Sequence, residues 1–322
     1  MRILSLFACA LLLTCGALER VLAQSPTVQT VAFESSAVGY AMKYNILLPA
    51  NYAAGETHYP VMYLLHGAGS NYTEWPIEKE LLDYAQDYPD LLIVMVDAGN
   101  SWYANWAAPT DGQPHQWETY MVEEVVGHVE LHFRTLATRE GRAIAGFSMG
   151  GYGAMMLGLR NPDVFGFIGS LAGQLDYARS SAVGLGQNAT RTLRRRSRPA
   201  ALQASADRVW QHAQAAIGIP GFSSLAERMP EGTLFVTSEQ AEAHDPFTLI
   251  DQVAPDRVPY IYLDVGTEDT LHRFAKEMAQ QLMARSLPFG YAQRPGQHDG
   301  AYLTTALRFL LAAHHEVTQS TP

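Results

Sequence analysis

Cysteine is nearly absent from this sequence. Of 322 residues only Cys9 and Cys15 are cysteines, and both lie close to the N-terminus. The rest of the chain therefore has no disulfide framework, no thiolate metal site and no cysteine nucleophile. Basic residues are also scarce, because 22 Lys and Arg stand against 32 Asp and Glu, for a net charge of −10. Nonspecific binding to nucleic acid needs a basic surface, so the composition argues against a nucleic-acid partner.

Familiar ligand motifs are missing as well. The sequence has no H-E-x-x-H zinc motif, no phosphate-loop lysine, and no G-x-G-x-x-G after an apolar run. We therefore predict that the protein uses no metal and no organic cofactor.

The N-terminal segment is typical of an export signal. Arg2 provides a short positive region, and residues 3–13 form an apolar core too short to span a bilayer comfortably. We predict a signal peptide over residues 1–23, followed by a mature secreted or periplasmic protein without stable membrane insertion. A cysteine-free mature chain suits an oxidising compartment. Two alternatives stay open: a retained N-terminal membrane anchor, and lipid attachment at Cys15, where the surrounding segment matches a lipoprotein cleavage box poorly.

Apolar runs alternate with amphipathic stretches along residues 24–322, which predicts one domain with a mostly parallel central sheet flanked by helices. Strands are predicted at residues 59–65, 91–96, 142–147, 165–171, 260–265 and 289–293. Helices are predicted at residues 117–133, 150–159, 271–285 and 302–313.

One segment interrupts this alternation. Residues 174–232 contain no clear strand, and residues 191–198 are densely basic. A long strandless segment inside a compact domain is as a rule functional or mobile. The segment is therefore either a cap-like insertion over the strand ends or a solvated insertion, and the arginines alone do not establish an anionic ligand.

Residues 146–150, Gly-Phe-Ser-Met-Gly, fit the G-x-S-x-G nucleophile elbow. An apolar run precedes the motif and a helix rich in small residues follows it, as a tight strand-to-helix turn requires. Such a turn exposes the Ser148 hydroxyl and brings the Met149 N–H to a helix N-terminus, where an oxyanion is stabilised. A glycine-rich turn of a nucleotide-binding fold is the alternative, but the phosphate-binding motifs are missing.

A serine nucleophile needs a base and an acid that orients it. His298 lies between the last predicted strand and the last predicted helix. An acid on the preceding loop would complete the chain order serine, acid, histidine that accompanies a G-x-S-x-G elbow. The preceding strand leads into Glu268 and Asp269. We predict Asp269 as the acid, with Glu268 as runner-up, and Asp264 as a residue still inside the strand.

Two loops complete the predicted site. The loop at residues 66–70 follows an earlier strand, and the Ala68 N–H is its predicted oxyanion donor; His66 is expected to hold its own loop. Trp102, Tyr103 and Trp106 form an aromatic group after the next strand. They either contact substrate by stacking on a sugar or a hydroxycinnamoyl ring, or pack the loop against the fold.

Several segments together resemble the esterase D family, which includes S-formylglutathione hydrolases, bacterial feruloyl and acetyl esterases, and mycolyltransferases. The segments are LLHGAGSN (64–71), DAGNSWYANW (97–106), REGRAIAGFSMGGYGAM (139–155), DPFTLI (245–250), DVGTED (264–269) and PGQHDGAY (295–302). The resemblance implies an α/β-hydrolase fold, acyl-ester chemistry, Ser148, Asp269 and His298 as the triad, and Ala68 and Met149 as oxyanion donors. Many relatives have an aromatic residue where this chain has Gly300.

From these features we expect a secreted serine carboxylesterase acting on small-molecule or polysaccharide-linked esters, including feruloyl and acetyl esters. One alternative is an acyltransferase that passes the acyl group to a sugar hydroxyl. The other is a catalytically inactive hydrolase fold used for binding. The oligomeric state does not follow from the sequence.

Overall fold

A computed structural model describes residues 26–73, 75, 80–194 and 231–320. The predicted signal peptide, the lipid-anchor alternative at Cys15, and residues 195–230 of the predicted insertion lie outside these ranges. Within the described ranges, no helix is long and apolar enough to cross a membrane.

Eight strands form one mixed, mostly parallel sheet. Its strands are β1 (Thr27–Ser35), β2 (Tyr40–Leu48), β3 (Val61–Leu65), β4 (Leu92–Val96), β6 (Arg142–Phe147), β7 (Phe167–Leu171), β9 (Tyr260–Gly266) and β10 (Phe289–Arg294). The order is β1-β2-β4-β3-β6-β7-β9-β10, with β2 antiparallel to both neighbours and the remaining pairs parallel. Strands β3, β4 and β7 are buried at every position, which explains their continuous apolar sequences.

Helices cover both faces of the sheet. They are α1 (Glu80–Gln86), α2 (Trp117–Thr119), α3 (Val126–His132), α4 (Met149–Arg160), α5 (Tyr177–Arg194), α6 (Ser238–Glu242), α7 (Pro246–Gln252), α8 (His272–Ala284) and α9 (Gly300–Ser320). A π-helical segment, Tyr120–Val125, joins α2 to α3. Short 3-10 turns occur at Tyr52–Ala54 and Pro255–Arg257. The apolar side chains of α3 and α4 pack on one face of the sheet, and those of α1 and α9 pack on the other. This layering confirms the predicted fold class.

The hairpin of β1 and β2 is the main element that the sequence pattern did not predict. Most residues of β1 are exposed or half-buried, so this edge strand lacks the apolar run that marks the inner strands. The antiparallel pairing runs from Thr27 opposite Leu48 to Ser35 opposite Tyr40.

The described ends of the predicted insertion both contact the loop after β4. Tyr177, the first residue of α5, stacks on Trp102. At the other end, the two-residue strand β8 (Gly232–Thr233) pairs antiparallel with β5 (Ala108–Pro109). No strand precedes Gly232 in the part of the insertion that the structure describes, residues 174–194 and 231.

Candidate active site

Ser148 occupies the sharp turn between β6 and α4. Its φ is 57° and its ψ is −115°, a strained conformation of the kind that concentrates at functional sites. The two flanking glycines allow the turn: a Cβ at Gly146 would lie 2.4 Å from the backbone of Gly150, and one at Gly150 would lie 2.0 Å from the Leu65 carbonyl oxygen. Close backbone packing therefore demands glycine at both positions.

The structure brings Ser148, His298 and Asp269 into one hydrogen-bonded chain. His298 Nε2 lies 2.9 Å from Ser148 Oγ, and His298 Nδ1 lies 2.7 Å from Asp269 Oδ2. An ionised carboxylate only accepts, so the neutral imidazole carries its proton on Nδ1 and offers Nε2 to the serine hydroxyl. Asp269 is buried, and its second oxygen accepts the Leu271 N–H at 2.8 Å.

The two neighbouring carboxylates make other contacts. Glu268 is exposed and accepts the Gly296 N–H, a hydrogen bond that lowers the pKa of the Glu268 carboxyl. Its own N–H donates to the Gly296 carbonyl at 3.0 Å, so Glu268 ties the acid loop to the His298 loop. Asp264 lies inside β9, fully buried, where it accepts from the Tyr262 hydroxyl and from Arg294.

Phe147 is a site neighbour that the sequence reasoning missed. Its ring stacks on the His298 imidazole, with centroids 4.7 Å apart and planes 25° apart. The sequence indicates only that Phe147 occupies the variable position before the serine of the G-x-S-x-G motif. Its contact with His298 could not be predicted, because His298 lies 151 positions later in the chain.

The two predicted oxyanion donors flank Ser148. Met149 is the first residue of α4, so its N–H has no acceptor inside its own helix. Ala68 follows β3, which is the parallel neighbour of β6, so both loops leave the same edge of the sheet. A Cβ on the adjoining Gly67 would lie 3.5 Å from the Ser148 Cβ, which shows how closely the two loops approach.

His66 is buried and holds the loop after β3 through both ring nitrogens. Nε2 accepts the Ala98 N–H at 3.1 Å, which leaves Nδ1 to donate to the Gly67 carbonyl at 2.8 Å. Burial lowers the pKa of His66, so the ring stays neutral in this setting. These are the contacts expected of a residue that holds its loop.

The aromatic group after β4 packs chiefly against the fold. Trp102 stacks on Tyr177 with ring centroids 3.4 Å apart, and the half-buried Trp106 donates its indole N–H to the Ser101 carbonyl at 3.1 Å. Tyr103 is fully buried, and its hydroxyl donates to the His66 carbonyl at 2.9 Å. For Tyr103 these contacts agree with the packing alternative, and substrate contacts of the three aromatic residues stay predictions.

Among the described residues, no group of three or more His, Cys, Asp or Glu side chains could hold a metal ion.

Comparisons with known proteins agree with the resemblance seen in the sequence. Residues 35–315 match the family described as putative esterase. An esterase of Mycobacterium tuberculosis is 38% identical over 132 residues, which are 40% of this chain and 28% of that protein. A protein of Xylanibacter ruminicola described as endo-1,4-beta-xylanase/feruloyl esterase is 29% identical over 157 residues, which are 45% of this chain and 21% of that protein. The matched segments thus span less than a third of these relatives.

A solved structure shares the fold along most of the chain. The fluorophosphonate-binding serine hydrolase F (FphF) of Staphylococcus aureus superposes with a TM-score of 0.65 at 21% identity, covering 90% of this chain and 98% of that one. At this identity the match establishes the fold, the α/β-hydrolase architecture.

Proposed function

Because this chain belongs to the putative esterase family, we propose that it is an exported serine carboxylesterase that hydrolyses small acyl, acetyl or feruloyl esters through a covalent acyl-enzyme. The observation that carries the proposal is the hydrogen-bonded chain from Ser148 Oγ through His298 to Asp269, with distances of 2.9 and 2.7 Å. A serine hydroxyl is a weak nucleophile until a positioned base removes its proton.

In the first half-reaction, Ser148 Oγ attacks the ester carbonyl carbon while His298 Nε2 takes the hydroxyl proton. The carbonyl π electrons move to oxygen, and the resulting oxyanion accepts hydrogen bonds from the Ala68 and Met149 N–H groups. Collapse breaks the carbon–oxygen bond of the leaving alcohol, which receives the proton from His298. The acyl group is then bonded to Ser148 Oγ.

In the second half-reaction, water adds to the acyl carbon and gives its proton to His298 Nε2. The tetrahedral intermediate collapses, Ser148 Oγ leaves and regains the proton, and the carboxylic acid is released. Asp269 stays ionised throughout and stabilises the imidazolium that forms twice per cycle. Its buried carboxylate, also held by the Leu271 N–H, keeps the histidine in the required tautomer.

Two observations support the proposed substrate class. The N-terminal segment predicts export, which favours an extracellular ester, such as an acyl group on a polysaccharide, over a cytosolic thioester. One relative carries feruloyl esterase in its description. We therefore place feruloyl and acetyl esters first.

Acyl transfer to a sugar hydroxyl is the second candidate, because the same motifs resemble the mycolyltransferases. It shares the first half-reaction and differs only in the acceptor that attacks the acyl-enzyme. Product analysis with and without an added sugar distinguishes the two: an acylated sugar in place of free acid supports transfer.

The test of the proposal is an ester panel. Purified protein is assayed against nitrophenyl esters from acetate to laurate and against methyl ferulate, with Ser148→Ala as the matched variant. We expect turnover that falls on the order of a thousandfold or more in Ser148→Ala. A folded protein without turnover on any ester, or a Ser148→Ala variant as active as the parent, would contradict the proposal.

A further inference from the structure

The loop that carries Ala68, the proposed oxyanion donor, is hydrogen-bonded to the loop after β4. Asn100, a buried residue of that second loop, accepts the Gly69 N–H through its side-chain Oδ1 at 2.6 Å. Gly69 immediately follows Ala68, so this bond reaches the peptide next to the proposed donor.

The donor peptide is fixed on its other side as well. In a trans peptide, the Gly67 carbonyl and the Ala68 N–H lie in one plane and point in opposite directions. The Gly67 carbonyl accepts from His66 Nδ1 at 2.8 Å and from the Ser70 N–H at 3.3 Å. These hydrogen bonds orient the Gly67–Ala68 peptide plane and, with it, the Ala68 N–H. This orientation is fixed once the chain after Ala68 is held as well.

Asn100 supplies that second attachment. The Ala68–Gly69 peptide is fixed by the amide oxygen, and Gly69 takes the left-handed conformation at φ 82°. With both peptides beside the Ala68 Cα held, the φ and ψ of Ala68 have no freedom to turn its N–H away. Loss of either attachment returns that freedom.

The turn that presents Asn100 is itself well fixed. Asp97 Oδ1 accepts the Gly99 N–H at 3.3 Å, and the Ala98 N–H donates to His66 Nε2 at 3.1 Å. Beyond Asn100, Trp102 and Tyr103 take positive φ values of 56° and 58°, a cost that only a well-packed loop sustains. The backbone on both sides of Asn100 is therefore fixed, and so is the position of the side-chain oxygen that accepts the Gly69 N–H.

We infer that Asn100 is a positioning residue for catalysis, which holds the Ala68 N–H in its oxyanion-binding orientation through the Gly69 N–H. The inference rests on the proposed ester hydrolysis through a Ser148 acyl-enzyme. A neutral amide suits this place, because it accepts a hydrogen bond without adding negative charge beside the developing oxyanion.

Paired substrates test this role. An ester develops charge on oxygen, whereas the matching thionoester develops it on sulfur, which accepts hydrogen bonds weakly. The ratio of their kcat values therefore reports how well the donors are oriented, and it does not fall merely because less protein is folded. Four variants are compared with the parent: Asn100→Ala, Asn100→Leu, Asn100→Asp and Asn105→Ala.

Two variants remove the acceptor. Complete loss of an oxyanion donor costs on the order of 10²–10³ in kcat, so we expect a misdirected one to cost about 10-fold to 100-fold for the ester, with KM little changed and the thionoester far less affected. Leucine has nearly the shape of asparagine, so Asn100→Leu excludes a cavity as the cause and carries the test if Asn100→Ala does not fold.

The other two variants are controls. Asn100→Asp keeps an acceptor oxygen, so its ester-to-thionoester ratio should stay within about twofold of the parent, although the charge slows both substrates. Asn105 belongs to the same loop, but its Oδ1 accepts the Glu118 and Thr119 N–H groups at 2.9 and 3.2 Å, away from the oxyanion loop. Asn105→Ala should leave the ratio unchanged.

Each outcome decides a separate claim. A ratio that is unchanged in folded Asn100→Leu, that falls equally in Asn105→Ala, or that falls in Asn100→Asp overturns the positioning role. A parent protein that turns over neither ester nor thionoester instead overturns the proposed function.

Discussion

The two sides of Ser148 are supported in different ways. On the donor side, which carries the proposed oxyanion donor Ala68, the loops after β3 and β4 are joined through three buried residues, His66, Asn100 and Tyr103. On the base side, which carries the proposed base His298, that side chain is 20% exposed. Its loop is tied through the exposed Glu268 to the loop of the proposed acid, Asp269. Backbone donors act through fixed orientation and benefit from burial, whereas a base that serves both substrate and water must stay accessible.

The largest expected effect concerns the base side. Asp269→Asn should lower kcat by about 10⁴, because an amide permits the wrong imidazole tautomer, as the serine protease precedent indicates. Glu268→Gln keeps a side-chain oxygen for the Gly296 N–H, so it should retain most of the activity. Steady-state kinetics on a nitrophenyl ester measures both. Equal losses in the two variants would show that the acid loop acts as a whole, and the reverse order would move the acid to Glu268.

The next effect concerns pH and the donor side. The pKa of His66 is lowered by burial, so above about pH 6.5 the ring is neutral in both the folded and the unfolded chain. As the pH falls below this value, His66 takes up a proton in the unfolded chain but stays neutral in the folded chain. The free energy of unfolding therefore decreases by up to about 1.4 kcal/mol per pH unit.

Replacement of His66 by glutamine should remove this contribution. Denaturant unfolding at pH 7.5 and pH 5.5 measures the difference, and the decrease should be smaller in His66→Gln than in the parent. If the free energy of unfolding of His66→Gln decreases as much as that of the parent, protonation of His66 is not coupled to unfolding.

The smallest expected effect separates two buried tyrosines. Tyr103→Phe removes the hydrogen bond to the His66 carbonyl and should cost about 1 kcal/mol of unfolding free energy. Tyr63 is equally buried, but its hydroxyl has no hydrogen-bond partner in the described part of the chain. Tyr63→Phe should therefore be neutral or stabilising. Thermal unfolding of both variants checks the pair, and equal destabilisation would argue that the Tyr103 hydroxyl does not hold the donor loop.

Local sequence patterns predicted the inner sheet well. Strand β6 has the predicted bounds, Arg142–Phe147, because its buried residues 143–147 leave a continuous run without polar side chains. Helix α9 begins and ends beyond its predicted range, at Gly300 and Ser320, since an amphipathic pattern marks the buried stretch and not the ends. The β1–β2 hairpin was missed because its edge strand is mostly exposed or half-buried.

The sequence by itself determined the elbow, since Gly146 and Gly150 are required by backbone contacts within a few residues of Ser148 and beside the adjacent strand. It also determined the chain order of the proposed nucleophile, acid and base. Only the tertiary structure decided which of two adjacent carboxylates meets the imidazole, because both lie on one loop and differ only in the direction of their side chains. The contact of Asn100 with Gly69 likewise joins residues 31 positions apart. It exists because β3 and β4 are neighbours in the sheet, and that adjacency is a property of the fold.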